Sequence, residues 1–405
     1  MSRIDHLITK HCPEGVAFED LCKLACYSDT RIDAADLDET NFVGVDNLRP
    51  NMAGKNDASY SANTARLTAF AAGDILLGNI RPYLKKIWLA DREGGCSGDV
   101  LAIRIRKERR SELLPEFLYR LIASDDFFAY NMQHAKGAKM PRGSKDAILR
   151  YRIPVPPLEV QQEIVAILDR FTKLEAELEA ELEARRRQYQ HYRDTLLSFP
   201  EDANIRATRI LNLGEVGNFI RGSGIQKSDF VDAGAGCIHY GQIHTHYGTW
   251  AKSTKSFIRP DLAARLRKAH KGDLVIATTS EDDGAVAKAV AWLGDEPVAV
   301  STDAYIFRHT LNPKYVSYFF QTEHFQSQKR PHVTGTKVRR ISGDSMAKIK
   351  IPVPPMEEQE RIVAILDRFD ELTSSLSTGL PAEIAARRRQ YAYYRDQLLT
   401  FKEAA

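Results

Sequence analysis

Apolar residues recur at three- and four-residue intervals through Ile164, Leu168, Phe171, Leu178, Leu182, Tyr189, Tyr192, Leu196 and Phe199. That spacing predicts one long helix with a seam suited to coiled-coil packing. The seam returns at Ile362, Leu366, Phe369, Leu376, Leu380, Tyr391, Tyr394, Leu398 and Phe401. Ahead of each seam stands the string I-P-V-P-P, at 153–157 and 351–355. Proline fixes its own φ and keeps the preceding residue out of the helical region, so each string is a stiff, extended connector that sets the exit angle of its helix. Short apolar runs flanked by Gly or Asp predict strands at 74–77, 100–105, 273–277 and 304–307. Pro115 and Pro313 open helical segments whose aromatic residues read as core, and both segments run into a basic loop centred on Gly137 or Gly335.

These patterns are two copies of one unit. An offset of 198 superimposes the two proline strings and also Pro115 on Pro313, Phe127 on Phe325, His134 on His332, Gly137 on Gly335 and Lys139 on Lys337. A period this long lets each copy hold its own core, unlike the short repeats of a solenoid, and two copies imply a pseudo-twofold molecule. The end of the chain repeats as well, Y-R-D-T-L-L-S-F at 192–199 becoming Y-R-D-Q-L-L-T-F at 394–401. Residues 5–14 loosely parallel 194–201, which makes the repeat cyclic, brings the two termini together and predicts a closed ring of four parts. The expected fold is mixed α/β (α+β) modules plus long helices. Modules at 1–150 and 201–350 alternate with a central helix at 151–200 and a C-terminal helix at 351–405.

A helix over 158–199 would be about 63 Å long, close to two turns of B-DNA at about 34 Å each. Antiparallel pairing of two such rods would hold the modules apart. The rods differ in length: Phe171 to Arg185 is 14 positions and Phe369 to Arg387 is 18. Four extra residues make a stutter that unwinds a coiled coil locally, and Gly379-Leu380-Pro381 inside it predicts a stop at Gly379 and a restart at Pro381. In the first rod L-E-A-E occurs twice, at 174–177 and 178–181. One such tetrad adds about 6 Å and a rotation of about 40° beyond a full turn, the properties of a ruler element.

Composition narrows the class. With 405 residues, 43% hydrophobic and 27% charged, the chain has room for several cores and the make-up of a soluble protein. It has no run of eighteen apolar residues, and its opening residues hold no signal-peptide segment, so a cytoplasmic location is expected. Five cysteines at irregular spacing fit reduced thiols. His11-Cys12 with Cys22 and Cys26 lacks the spacing of a zinc site.

A net charge of +3 is only mildly basic, so nucleic-acid binding would need local clusters. Four exist, at 81–86, 104–110, 136–145 and 329–340, the last two in equivalent places of the repeat. Phosphate contacts position a protein on DNA and base-edge contacts give it specificity. For phosphate the candidates are Lys85, Lys86, Lys139, Lys145, Lys337 and Arg340. For base edges or groove entry they are Asn79, Arg81, Arg142, Tyr240, Gln242, His244, Thr336 and Arg339. A rival reading makes Glu281, Asp282 and Asp283, near Lys288, the magnesium site of a DNA nuclease. A second rival is a helical scaffold that binds proteins only.

The two I-P-V-P-P-[LM]-E-x-Q entries (153–161 and 351–359), the two A-R-R-R-Q-Y-x-x-Y-R-D-x-L-L endings (184–197 and 386–399) and the modules between them span essentially the whole chain. Together they resemble the specificity subunit of a type I restriction–modification system. The resemblance implies two target-recognition domains, each reading half of a bipartite DNA sequence. It implies helices that set the spacing and dock two methyltransferase subunits, to which two restriction subunits add. The L-E-A-E tandem resembles the family's spacing element. Residues 41–55 and 237–250 are the stretches expected to carry the different targets. The chain has no N-P-P-[YF], no G-x-x-x-x-G-K-[ST] and no H-E-x-x-H. The resemblance accordingly places S-adenosylmethionine, ATP and magnesium on the partner subunits.

Overall fold

Each predicted apolar run becomes a central strand whose alternate residues are buried on both faces. The computed structural model describes residues 3–199, 208–374 and 378–404. The chain divides into two compact units, Met1–Glu177 with Ile384–Ala405, and Leu178–Glu383.

In the first unit Ile75–Gly78 lies between Val100–Ile105 and Ile87–Leu89 in an antiparallel four-stranded sheet completed by Ala25–Tyr27. Ile75 and Leu77 face a core with Leu24, Phe117, Leu118 and Phe127, whereas Leu76 points to the other side, against Val43 and Phe70. Period-two alternation thus places a helical layer on one face and a second sheet on the other. That second sheet runs in the order Arg31–Asp33, Arg66–Phe70, Gly94–Cys96, Phe42–Val43.

The second unit repeats the plan with five strands in each sheet. Leu274–Ala277 lies between Ala304–His309 and Ala289–Trp292. Leu274 and Ile276 face Tyr315, Phe319 and Phe325, and Val275 and Ala277 face Ile238 and Val300. A carboxylate at the head of each central strand is gripped by an arginine from the neighbouring strand. Arg104 donates Nε and Nη2 to Asp74 at 3.0 and 2.6 Å, and Arg308 does the same to Asp273 at 3.2 and 2.8 Å.

The proline strings are more than connectors. Arg152–Val155 pairs antiparallel with Ala17–Asp20, and Lys350–Val353 with Arg209–Asn212. In the first unit this ribbon gains the C-terminal residues: the Val16 amide donates to Lys402 O and the Ala404 amide to Val16 O, both at 2.9 Å. Residue 16 and residues 402–404 meet there. After each string comes a glutamine that fastens the helix start. Gln161 Nε2 donates to Pro156 O and Glu112 O at 2.7 Å while Oε1 accepts from the Leu114 amide at 2.9 Å. Gln359 bonds Pro354 O and the Asn312 amide in the same way, at 2.8 and 2.9 Å.

The predicted helices at Pro115 and Pro313 are each broken in two. Ser124 and Thr322, at equivalent positions, cap second helices Asp125–Gln133 and Glu323–Lys329. A hydroxyl that accepts the amide three residues on competes with helix continuation, so the chain turns there.

Helix Leu158–Leu196 is continuous through both L-E-A-E tetrads. Its seam divides by function. Ile164 and Leu168 are fully buried in the first unit's core, and Ile362 and Leu366 in the second's, so these positions are core rather than coiled-coil contacts. Helix-to-helix packing follows. In the first unit Phe171 stacks on Tyr394, with centroids 5.5 Å apart, and meets Tyr391 edge-on, while Glu175 pairs with Arg388 at 2.6 Å. The numbering rises on one helix as it falls on the other, which is antiparallel pairing. In the second unit Tyr192 and Tyr189 stack on Phe369 at 5.4 and 6.4 Å, the same three residues of the repeat with roles exchanged.

Leu178, Leu182, Leu196 and Leu398 are half-buried, and Leu197 rather than Leu196 is the residue fully enclosed. The second rod comprises the described helices Met356–Ser374 and Leu380–Leu399, the latter starting one residue before Pro381. Leu376 lies outside the described residues. Among the described residues no helix is long and apolar enough to cross a membrane.

Candidate nucleic-acid interface

The basic glycine loops are twin hairpins. In the first unit the Lys136 and Arg142 amides and carbonyls exchange hydrogen bonds of 2.9 and 2.8 Å, and in the second Thr334 and Arg340 do so at the same distances. Gly137 and Gly335 turn the chain at φ +102° and +95°, a conformation that glycine alone adopts without strain. The tips they create are exposed and carry Lys139 and Met140 in one unit, and Thr336, Lys337 and Val338 in the other. Met140 and Val338 occupy equivalent positions and are 45% and 41% exposed, so each hairpin presents an apolar side chain among cations.

Each hairpin lies against the loop that leaves the unit's central strand. In the first unit Ile80 bridges Arg142 and the Arg81 amide donates to Pro141 O at 2.7 Å. In the second, Thr279–Ser280 pairs with Arg339–Arg340. This pairing unites clusters far apart in sequence. Around the first hairpin it brings Lys139 and Arg142 beside a cleft of about 250 Å³ lined by Arg81, Lys86, Asp46, Asp99 and Met140. Arg142 is held there by Asp99, its Nε 3.0 Å from Oδ1.

Several other candidates are buried or turned toward neighbouring groups of the protein. Asn79 is buried, which removes it from any surface that a base could reach. Lys86 directs its ammonium inward to Val45 O at 2.7 Å. Lys85 is ion-paired with Asp125, which also meets Arg395, and the lysine bond holds that carboxyl below its usual range. Lys145 lies over the Tyr27 ring at 6.0 Å, on the first turn of a short helix, and stays exposed.

In the second unit the helix Tyr240–Thr245 carries three candidates. Gln242 is turned inward, Nε2 bonding Ser256 Oγ at 2.6 Å, and His244 Nε2 donates to Thr279 O at 3.0 Å. Tyr240 remains partly exposed beside the His239 ring. The amide or imidazole chemistry that suits base reading also suits helix capping and loop anchoring, and sequence does not distinguish them.

The acidic stretch belongs to the same exit loop. Asp283 pairs with Arg339 Nε at 2.8 Å, and Asp282 accepts the Gly284 amide at 2.9 Å. The lysine beside this loop is Lys329, not Lys288. It is buried and donates to the carbonyls of Asp283, Gly284 and Val286 at 2.9, 3.2 and 2.8 Å. Among the described residues no three His, Cys, Asp or Glu side chains gather where they could hold a metal ion.

One contact common to both units escaped the sequence reading. Lys85 and Ala287 are both left-handed, at φ 51° and 65°, and each precedes a lysine and then a strand of the central sheet. Lys288 Nζ bonds Tyr247 O at 3.1 Å as Lys86 bonds Val45 O. Both lysines thus pin the segment after the parallel strand of the second sheet. The repeat offset of 198 fails here because the exit loops differ in length.

Residues 68–184 and 209–386 match the family described as type I restriction modification DNA specificity domain. Over 264 residues the chain is 35% identical to the Escherichia coli type I restriction enzyme EcoR124I/EcoR124II specificity subunit, covering 62% of this chain and 63% of that protein. A Haemophilus influenzae protein named as a type I restriction enzyme specificity subunit is 30% identical over 311 residues, 72% of this chain and 74% of its own length. In fold, a chain solved in work on complex assembly and conformational transition of the type I R-M system aligns with a TM-score of 0.67. It covers 96% of this chain and 98% of its own, at 20% identity.

Proposed function

This chain belongs to the family of type I restriction–modification DNA specificity domains, and from that premise we propose that it is the non-catalytic subunit that selects a bipartite DNA target for a type I complex. The observation that carries this reading is the twin basic hairpin, built identically in the two units and backed in each by the exit loop of the central strand. Two equivalent cationic tips suit two half-sites of one duplex, since cations that replace condensed counterions provide affinity irrespective of sequence. The stretches 41–55 and 237–250, together with the unequal loops that leave the central strands, are assigned what the halves do not share.

The partners of this assignment are two methyltransferase and two restriction subunits. S-adenosylmethionine, ATP and magnesium are assigned to those chains, and the cytoplasm is the site of assembly. The test is base-resolution adenine methylation of DNA from cells expressing this chain with its methyltransferase partner. A split motif with one methylated adenine in each half is expected, and an unsplit motif or none would overturn the reading. A protein-only scaffold makes a separate forecast: DNA binding by the complex would show no steep loss with salt.

A further inference from the structure

The register between exit loop and hairpin places one arginine at the same point of each unit, but from opposite strands. Arg142 and Arg340 are equivalent in the repeat, and Ile80 and Thr279 are their respective partners. One residue further on, Arg81 faces Pro141 in the first unit, and Ser280 faces Arg339 in the second. Arginine opposite proline has become serine opposite arginine.

The two arginines are prepared differently for the same task. Arg81 is exposed, has no carboxylate partner among the described residues, and is held at φ 52°, ψ 61°, a backbone conformation uncommon for a residue with a side chain. Residues kept in such conformations by their surroundings concentrate where a side chain must be aimed. It overlooks the cleft that Lys86, Asp99 and Met140 line. Arg339 is fixed by its side chain instead. Nε is held by Asp283 at 2.8 Å and Nη1 donates one hydrogen to Gly335 O at 2.6 Å, so the guanidinium plane is set while Nη2 and the second Nη1 hydrogen lie outside these two contacts.

Resting on the functional reading above, we infer that this cross-strand pair is the base-reading point of each unit, and that Arg81 and Arg339 each read a guanine in the major groove. Guanine presents two acceptors, N7 and O6, side by side, and the guanidinium is the side-chain group that meets both at once. The lysines of the hairpin tips, as point charges, meet phosphate. A guanine is therefore required in both half-sites at the position facing this pair. Asp283 acts on its half-site through Arg339 and is a positioning residue.

The experiment is the methylome of cells expressing the methyltransferase partner with the intact chain, Arg81→Lys, Arg339→Lys or Asp283→Asn. Lysine keeps the charge and loses the paired donors. Arg81→Lys should relax one guanine in one half of the motif, with about a tenfold or greater loss of discrimination at that base pair and the other half unchanged. Arg339→Lys should do the same in the opposite half, and Asp283→Asn should reproduce Arg339→Lys in weaker form.

Both arginines are at the surface, and salt titration of DNA binding by the purified variant complexes provides a second readout. An unchanged slope agrees with base contact. A uniform fall in methylation with an intact motif, or a slope reduced by about one as for a lost phosphate contact, would overturn the assignment. So would a wild-type motif that lacks guanine in either half. Absence of any split motif from the wild-type complex would instead overturn the functional reading itself.

Discussion

The Gln161 carboxamide oxygen accepts the amide hydrogen of Leu114, nitrogen and oxygen 2.9 Å apart, at the point where a helix begins without a capping side chain of its own. Leu114 is the residue before Pro115, and neither leucine nor proline can satisfy the amides exposed there. A glutamine three residues into the long helix supplies the acceptor, and its amide group ties down Pro156 and Glu112 as well. We expect Gln161→Leu to leave these buried groups without partners and to lower stability by about 3 kcal/mol. Denaturant unfolding of the full chain would show it. A loss under about 1 kcal/mol would mean that water replaces the clamp.

Lys329 predicts a local effect. Burial holds its ammonium down at about 8, yet its three carbonyl partners require the proton, so the side chain serves as a staple across the exit loop. Lys329→Met keeps the apolar stem and removes the staple. Amide hydrogen exchange in 281–288 should accelerate tenfold or more while the strand Leu274–Ala277 stays protected. Equal acceleration in both would show a general loss of stability.

Acid should weaken the second unit through His309. Its Nδ1 accepts the Leu311 amide at 3.1 Å, its ring lies against Phe307, and burial holds its pKa down at about 4. The unfolded chain, at about 6.5, takes up the proton first on acidification. The stabilising contribution is therefore complete above about pH 6.5 and is lost as pH falls from there through 4. His309→Asn keeps an acceptor for Leu311 and does not titrate. Its melting temperature should fall less steeply than the wild type's across that window, and parallel curves would point to another group.

Length of the long helix should be read out in DNA. Removing residues 178–181, one L-E-A-E tetrad, takes about 6 Å from Leu158–Leu196 without adding a break. The spacer between half-sites should change by about one or two base pairs, at about 3.4 Å each. Methylome sequencing of the deletion would report it directly, and an unaltered spacer would remove the ruler role.

Periodicity served well wherever one physical cause set the pattern. The central strands, the glycine turns and the aromatic positions Phe171 and Phe369 follow from alternation, turn chemistry and the 198-residue offset, and Tyr192 and Tyr394 follow from the repeated Y-R-D string. It failed where two causes share a residue type. Ile164 and Leu168 fit a seam and a core equally well, and only the tertiary structure assigns them to the core. Asn79, Gln242 and His244 carry groups that suit a base edge, but burial and local partners claim them. Lys86 looked like a phosphate ligand because its partner, a main-chain carbonyl, leaves no mark in sequence. Its twin Lys288 was hidden by the unequal loops.

That pair of lysines has an evolutionary consequence. Lys86 and Lys288 hold oxygen atoms that every amino acid possesses, so the fastening is indifferent to which side chains the pinned segments carry. A substitution in either pinned segment leaves its acceptor oxygen in place, so the fastening can persist while the exposed side chains beside it change.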